Sequence, residues 1–284
     1  MKRLHPILYL LAHILLTSKS LSAVQIGPEN GTLLIVGGGA AQESFVRFIE
    51  LAGKDAPLVF ITTANPSLSP EEREANGDRL RNLGATDVTV MHTMDRKEAD
   101  SEVFVEPLRK AKGVWFGGGR QWHLVDSYKG TQVEKLLWEV LERGGVIAGS
   151  SAGATIQGSY LARGDTRNNQ IMVGDHEAGF GYLKSVAIDQ HHLARNRQFD
   201  MFAILKAYPH LLGIGIDEAT AIEVHGDTFT VLGESYVAVY DGGFWSREGW
   251  ELKELPQPEQ RFYFLKAGDR YDLANRKVIK GSNL

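Results

Sequence analysis

The stretch Gly145-Val146-Ile147-Ala148-Gly149-Ser150-Ser151-Ala152-Gly153 carries the strongest structural signal in this chain. Its apolar first half predicts a short buried strand, and its second half has the form G-x-S-x-G before a predicted helix at residues 154–156. Glycines permit a cramped strand-to-helix turn that exposes the central serine, Ser151. The N–H of Ala152 is then placed to donate to an oxyanion. The pentapeptide favours a nucleophilic serine, although a loop that only closes the junction has the same composition.

Short apolar runs alternate with longer amphipathic segments along the first half of the chain. The apolar runs predict strands at residues 33–36, 58–61, 87–91, 114–116 and 145–148. The amphipathic segments predict helices at residues 41–52, 70–83, 104–110 and 132–143. Strands that alternate with helices imply βαβ units, in which a parallel sheet carries helices on both faces. We therefore expect an α/β fold.

The pattern changes in the second half of the chain. Strands are predicted at residues 185–188 and 213–216, with a helix at 197–207 between them. Residues 219–240 alternate between apolar and polar side chains, which predicts a β-meander with Gly226-Asp227 as a hairpin turn. Because no repeat or flexible linker interrupts the sequence, we expect a single domain at residues 24–284, rich in strands over 219–284.

Residues 1–23 have the composition of a secretory signal peptide. Lys2 and Arg3 precede an apolar run at residues 7–16, and small residues follow up to Ala23. The apolar run is too short to span a bilayer, so no membrane span is expected. The sequence therefore predicts a secreted or periplasmic protein that loses residues 1–23.

The charge balance and the lack of cysteine exclude several classes of function. The formal net charge of −4 becomes about −7 without residues 1–23, because that segment holds three basic and no acidic residues. An acidic protein is a poor candidate for binding nucleic acid. A chain without cysteine has neither a thiol nucleophile nor a thiolate metal site.

No cofactor or metal is expected from the motifs. Gly37-Gly38-Gly39 follows a predicted strand, but Gln42 stands where a dinucleotide-binding fingerprint needs its third glycine. Close approach of two strand ends at a crevice explains these glycines better. The histidines lack the spacing of zinc motifs such as H-E-x-x-H.

Candidates for the base and carboxylate that a serine nucleophile needs lie at two other strand ends. His191 and His192 end one predicted strand, where an open α/β sheet forms its crevice. Asp217 and Glu218 end the next strand in the same way. Neighbouring strand residues point to opposite faces, so one member of each pair can face the serine. Asp165, on the loop after the elbow, is a rival acid, and the residue pattern leaves these alternatives open.

A second glycine turn follows the predicted strand at residues 114–116. Gly117-Gly118-Gly119 presents backbone N–H groups that can complete an oxyanion hole with Ala152, and Gly118 is the expected donor. A tight turn without this function has the same sequence and is compatible with it.

Four strand-end motifs occur in the order found in one known family. They are FGGGRQ at residues 116–121, GSSAGA at 149–154, DQH at 189–191 and GIGIDE at 213–218. With these motifs the chain resembles the cyanophycinase branch of the aspartyl dipeptidase (peptidase E) serine peptidases, over roughly residues 33–225. The resemblance implies a three-layer αβα fold with a mostly parallel sheet, similar to class I glutamine amidotransferases, with serine in place of their cysteine.

The same resemblance implies the site residues and the substrate. It assigns a Ser–His–Glu triad to Ser151, His191 and Glu218. It also implies that the substrate cleft is shaped by Gln121, Asp189 and Gln190. Cyanophycinases release β-aspartyl-arginine dipeptides from an arginine-bearing polyaspartate, so such a peptide is the expected partner. A homodimer is the default expectation for the oligomeric state.

The segment after the DQH motif matches the family only in part. Cyanophycinases carry three arginines there; Arg195 and Arg197 match the first two, and Asp200 replaces the third. His192 also replaces the usual aromatic residue. A guanidinium binds a carboxylate through two hydrogen bonds, so Arg195 and Arg197 suit an acidic substrate. The change at Asp200 puts cyanophycin itself in question and leaves the reaction class intact.

The sequence thus predicts an exported serine peptidase that cleaves amide bonds at aspartyl residues. One alternative, an α/β-hydrolase esterase, shares the elbow but expects the chain order Ser, Asp/Glu, His. Asp165 satisfies that order and Glu218 does not. A second alternative is an exported protein that keeps the fold and binds an acidic ligand without turnover.

Overall fold

The computed structural model describes residues 25–249 and 251–280, so the predicted signal peptide lies outside the described residues. The first half alternates strands and helices as predicted. Its strands are β1 Thr32–Val36, β2 Pro57–Ile61, β3 Asp87–Met91, β4 Gly113–Phe116 and β5 Val146–Ser150. Its helices are α1 Gln42–Ala52, α2 Pro70–Arg81, α3 Arg96–Ala99, α4 Glu102–Lys110, α5 Gln121–Tyr128, α6 Gln132–Glu142 and α7 Ala152–Thr155.

After α7 the chain is mostly strand. The strands are β6 Gly158–Tyr160, β7 Leu183–Gln190, β8 Leu212–Ile216, β9 Thr220–His225, β10 Thr228–Gly233, β11 Tyr236–Tyr240, β12 Tyr263–Lys266, β13 Arg270–Asp272 and β14 Lys277–Ile279. Helix α8, Met201–Ala207, begins later than the predicted residue 197, because residues 198–200 form a turn in which the N–H of Asp200 donates to the carbonyl of Arg197 at 2.9 Å. Across the described ranges, no helix has the length and apolar character needed to cross a membrane.

The strands form two mixed sheets. The larger has the order β14-β13-β10-β9-β1-β5-β4-β2-β3. Its five strands β1, β5, β4, β2 and β3 pair with one another in parallel. The second has the order β12-β11-β8-β7-β6, with β6, β7 and β8 parallel. The predicted α/β fold is confirmed, and the C-terminal strands extend both sheets by antiparallel pairing.

The predicted β-meander at residues 219–240 is divided between the two sheets. β9 and β10 form the expected hairpin around Gly226-Asp227 in the larger sheet. β11 pairs instead with β8 in the second sheet. Residues 237–240 of β11 are all buried. In the second sheet β11 lies between β8 and β12, so it has a neighbouring strand on each side, whereas the outer strand of a hairpin has one open edge.

Helices cover both faces of the larger sheet. Alternate residues of β1 belong to different cores, because successive strand side chains point to opposite faces. Leu33 and Ile35 pack in a cluster with side chains of α4 and α6, whereas Leu34 and Val36 pack with side chains of α1 and α2. This is the three-layer arrangement that the resemblance implied. It leaves the carboxyl ends of the parallel strands free to build a site.

Candidate active site

Ser151 occupies the turn between β5 and α7 in a strained backbone conformation. Its φ of 58° and ψ of −111° cost a residue with a side chain about 1–3 kcal/mol. Its N–H donates to the carbonyl of Val36 at 3.1 Å. A Cβ on Gly149 or Gly153 would lie 2.4 or 2.3 Å from a backbone carbonyl oxygen, so both positions require glycine. The turn has the geometry of the predicted elbow.

Ser151, His191 and Glu218 form a chain of hydrogen bonds. Ser151 Oγ lies 2.9 Å from His191 Nε2, and His191 Nδ1 lies 2.5 Å from Glu218 Oε1. Ser151 follows β5, His191 follows β7, and Glu218 lies just beyond β8. The structure thus brings together the three residues that the resemblance assigned to a triad, from strand ends in two sheets. This order of contacts lets Nδ1–H donate to the carboxylate while Nε2 accepts from the serine.

Of the two neighbouring histidines, only His191 contacts Ser151. His192 points the opposite way and is wholly buried, with Nε2 2.8 Å from the hydroxyl of Tyr240. Its ring packs against Gly215, where a Cβ would lie 2.4 Å from it. Among residues 25–249 and 251–280, no group of three or more histidine or acidic side chains is arranged to hold a metal ion.

The glycine turn after β1 makes room for the His191–Glu218 contact. A Cβ on Gly38 would lie 2.3 Å from His191 Cε1, and one on Gly39 would lie 3.3 Å from Glu218 Oε2. The carbonyl of Gly37 accepts a hydrogen bond from the N–H of His191 at 2.9 Å. Close approach of strand ends, which the sequence analysis expected of these glycines, is therefore observed.

Burial lowers the pKa of His191 from its ordinary value of 6.5. The hydrogen bond to Glu218 acts the other way and raises the pKa, whereas the positive charge of Arg195 lowers it. The net effect is a lowered pKa, so the imidazole is neutral at pH 7. A neutral imidazole that already contacts a serine hydroxyl can accept its proton.

Two backbone N–H groups near Ser151 are free to bind an oxyanion. In the described part of the chain, neither the N–H of Gly118 nor that of Ala152 donates to another protein group. Gly118 lies against the nucleophile, since a Cβ placed on it would be 3.6 Å from Ser151 Cβ. Ala152 is the first residue of α7, where a helix leaves its N–H groups without internal partners.

Gln121 does not line an open cleft, contrary to expectation. Its side chain is wholly buried, and its Nε2 donates to the carbonyl oxygens of Ala162 and Arg163 at 2.6 and 3.0 Å. As the first residue of α5, it turns inward and fastens the loop after β6 to this helix. Its role in the structure is to hold that loop.

Asp189, Gln190 and Arg197 were expected to meet the substrate, but their residues are 0, 2 and 3% exposed. Arg197 Nη1 donates to both the backbone oxygen and Oε1 of Gln190, each at 2.8 Å. The expectation is corrected for a physical reason: a buried charge or amide needs a partner, and these side chains find theirs inside the protein.

Arg163 holds this buried cluster together and was missed by the sequence analysis. Its Nε and Nη2 donate to the two carboxylate oxygens of Asp189 at 2.7 and 3.0 Å. Nη2 also donates to Asp200 Oδ2 at 2.6 Å. No local pattern marks an arginine as buried, and Arg163-Gly164-Asp165 has the composition of a surface turn. The one available signal was that Asp189, in an apolar strand, needed a cation.

Arg195 and Asp165, the two remaining candidate residues, lie in different surroundings. Arg195 is exposed, and its guanidinium makes no hydrogen bond to any described residue. Asp165 accepts from Arg167 Nη2 at 3.0 Å and from the backbone N–H of Arg167 and Asn168. It contacts neither Ser151 nor His191, so Glu218 is the carboxylate that the histidine meets.

Asp217 ties the backbone after His191 to the turn that carries Glu218. Its Oδ1 accepts from the N–H groups of Leu193 and Ala194 at 2.9 and 2.8 Å. Its Oδ2 accepts from the hydroxyl of Ser235 at 2.6 Å. Burial raises the pKa of this carboxyl, but the hydrogen bonds outweigh burial and the pKa is lowered. One side chain therefore fixes the relative position of two members of the hydrogen-bonded chain.

The sequence model of peptidase family S51 matches residues 30–232, a range that includes Ser151, His191 and Glu218. The chain belongs to peptidase family S51. This S51 peptidase is 29% identical to a cyanophycinase of Geminocystis herdmanii over 268 residues, which cover 88% of this chain and 96% of that protein. It is also 29% identical to a cyanophycinase of a Nostoc species over 289 residues, which cover 93% of each.

Solved structures agree with the family. A crystal structure of a peptidase from an acI-B1 actinobacterium has a TM-score of 0.64 and 25% identity, covering 88% of this chain and 98% of that one. A structure named for peptidase E, from Listeria monocytogenes, shares the fold with a TM-score of 0.52 and 21% identity, covering 72% and 99%. Membership in family S51 makes the chain a serine-type peptidase.

Proposed function

We propose that this chain is an exported S51 peptidase of the cyanophycinase type, which hydrolyses amide bonds at aspartyl residues and releases β-aspartyl-arginine or a related dipeptide. The observation that carries the proposal is the chain of hydrogen bonds from Ser151 through His191 to Glu218 at a strained elbow. The cyanophycinase relatives and the exposed Arg195 support the substrate class. Export rests on the composition of residues 1–23.

Attack on the substrate begins with transfer of the serine proton. As Ser151 Oγ forms a bond to the substrate carbonyl carbon, its proton passes to His191 Nε2. The electron pair of the carbonyl double bond moves onto oxygen. The free N–H groups of Gly118 and Ala152 then donate to this oxyanion.

Collapse of the intermediate expels the amine. The protonated His191 gives its Nε2 proton to the leaving nitrogen, the C–N bond breaks, and an ester to Ser151 is left. Water then attacks the ester with His191 again as base, which frees the acid and restores the serine. Throughout, the carboxylate of Glu218 holds Nδ1–H and stabilises the transient imidazolium.

Arg195 is the cation best placed to select an acidic substrate. It is exposed and lies on the turn directly after His191. Burial is the main cause of the lowered pKa of His191, and the positive charge of Arg195 lowers that pKa further. A guanidinium without a protein partner is suited to bind the free carboxylate of an aspartyl residue.

The proposal is tested by hydrolysis of insoluble cyanophycin and of a panel of α-aspartyl and β-aspartyl dipeptides, with Ser151→Ala alongside. Clearing of cyanophycin that disappears in Ser151→Ala supports a cyanophycinase despite Asp200. Cleavage of dipeptides alone supports the triad with a different substrate. If both proteins are inert on every substrate, the proposal fails and a binding protein for an acidic ligand takes its place.

Export is tested on its own. The N-terminus of protein recovered from the medium or periplasm should begin after residue 23, whereas recovery of the uncut chain in the cytoplasm alone contradicts export. The homodimer stays a prediction, to be checked by the molar mass in solution.

A further inference from the structure

Asp200 has a carboxylate oxygen that accepts no hydrogen bond from the described part of the chain. Oδ2 accepts from Arg163 Nη2 at 2.6 Å, and among the described residues nothing donates to Oδ1. Asp200 stands at the N-cap position of α8, yet its side chain makes no capping hydrogen bond. Its side chain is 34% exposed. The free oxygen therefore has access to solvent.

Asp200 belongs to an ion cluster with Arg163, Asp189 and Arg197, and it is the member whose side chain is most exposed. Arg163 and Asp189 have wholly buried side chains, and that of Arg197 is 3% exposed. The two guanidiniums balance the two carboxylates in number, but only Asp200 reaches the surface. Because Asp189 already binds Arg163 through both oxygens, Asp200 is not needed to pair that guanidinium. The free oxygen of Asp200 can accept a hydrogen bond from a ligand.

Asp200 and Arg195 place opposite charges on one short segment. Both lie between the end of β7 and the start of α8, directly after His191. Within residues 25–249 and 251–280, the exposed guanidinium of Arg195 has no hydrogen-bond partner, and Asp200 has one carboxylate oxygen that accepts no hydrogen bond. Such a pair suits a ligand that carries a carboxylate and a basic group together.

We infer that Asp200 is a specificity-determining residue of this peptidase, whose free oxygen receives the basic side chain of the substrate while Arg195 receives the substrate carboxylate. The inference rests on the proposed aspartyl peptidase activity and assigns to Asp200 the recognition of the basic residue next to the aspartyl group. Arg163 acts as a positioning residue, because it holds the carboxylate of Asp200 from inside.

The test compares a short oligomer of β-aspartyl-arginine units, from which the proposed activity releases the dipeptide, with the same oligomer built from β-aspartyl-citrulline, in which a neutral urea of similar shape replaces the guanidinium. We expect wild type to favour the arginine oligomer in kcat/KM by about tenfold, as a hydrogen bond between charged groups provides. Asp200→Asn should bring this ratio close to one. Asp269→Asn is the matched control, because Asp269 also pairs with an arginine, Arg247, away from this segment, and it should keep the wild-type ratio.

Binding is measured separately with Ser151→Ala, which cannot turn the dipeptides over. Calorimetry should show that this variant binds β-aspartyl-arginine about tenfold more tightly than the citrulline dipeptide, and that adding Asp200→Asn removes the difference. Equal affinity for both dipeptides, or an equal fall for both in Asp200→Asn, overturns the inference. If wild type cleaves both oligomers equally well, the proposed activity stands and the role of Asp200 falls.

Discussion

Gly38 is the residue at which one added carbon acts most directly on the chemistry. In Gly38→Ala the new Cβ would overlap the His191 ring, 2.3 Å from Cε1, and must push it away from Ser151. A displacement of about 1 Å at a reacting group costs about 100-fold in rate. We therefore expect kcat to fall by about that factor. Steady-state kinetics on β-aspartyl dipeptides measure the loss.

Gly84→Ala is the control for this substitution. Gly84 also has a positive φ, 98°, but a Cβ there would meet nothing within 4 Å. It should lose some stability through its backbone conformation and keep its activity. Full activity in Gly38→Ala, or the same loss of activity in both variants, would show that crowding at His191 is not the cause.

Burial is the main cause of the lowered pKa of His191, and the charge of Arg195 adds to it. Catalysis needs neutral His191, so kcat/KM should fall as the pH drops through the pKa of that residue, which lies below 6.5. Since Arg195 lowers this pKa, Arg195→Gln should raise it and move the acidic limb of the pH–rate profile to higher pH. The shift is measured at low ionic strength, where the charge is least screened. A limb that stays in place, or moves to lower pH, contradicts this account.

At the scale of elements, the carboxyl ends of β5, β7 and β8 bring the three site residues together. Each end carries a short motif that the sequence shows directly. The G-x-S-x-G pattern indicates Ser151, whereas only the resemblance to a known family chose His191 and Glu218 over their neighbours. The start of α8 and the partner of β11 could not be predicted, because the turn before Met201 and the pairing with β8 depend on contacts made in the folded chain. The burial of Gln121, Gln190 and Arg197 was hidden for the same reason.

Asp217 joins two of these ends, and its loss should loosen both. We expect Asp217→Ala to lower kcat by about 10- to 100-fold, because the backbone after His191 loses its anchor. Asp217→Asn should recover part of the rate, since an amide oxygen can accept the same hydrogen bonds. The proton NMR signal of His191 Nδ1–H reports the change, and it should weaken or vanish in Asp217→Ala alone.

Asp165→Ala is the matched control for Asp217→Ala. Asp165 also accepts two backbone N–H groups, yet it contacts no member of the proposed triad. It should keep both kcat and the NMR signal. A greater loss of activity in Asp165→Ala than in Glu218→Gln would restore the chain order of an α/β-hydrolase esterase.

At the scale of the whole molecule, stability depends on a buried ion cluster that no sequence pattern announced. Arg163→Ala leaves Asp189 buried without its cation, so the free energy of unfolding should fall by about 3–5 kcal/mol. Arg247→Ala breaks a more exposed pair with Asp269 and should cost only about 0–1 kcal/mol. Urea unfolding curves compare the two variants. Equal losses would mean that the buried cluster contributes no more than a surface pair.

The overall architecture could be predicted further than the environment of the site. Apolar runs and glycine turns report strands and their ends, which fix the α/β layers and the serine elbow. Which charged side chains become buried depends on how both sheets close around them. For this reason the exposed Arg195 and the buried Arg197 looked alike in the sequence.

The central claim is that Ser151 is the nucleophile of an aspartyl peptidase, and the most direct measurement is kcat/KM for release of β-aspartyl-arginine from a short oligomer of these units by Ser151→Ala and by Ser150→Ala. The two serines are neighbours in the same GSSAG motif, but only Ser151 contacts His191. We predict a loss of about 10⁴-fold or more in Ser151→Ala and a change within about tenfold in Ser150→Ala. Substantial hydrolysis by Ser151→Ala, at rates close to those of wild type, would contradict the account.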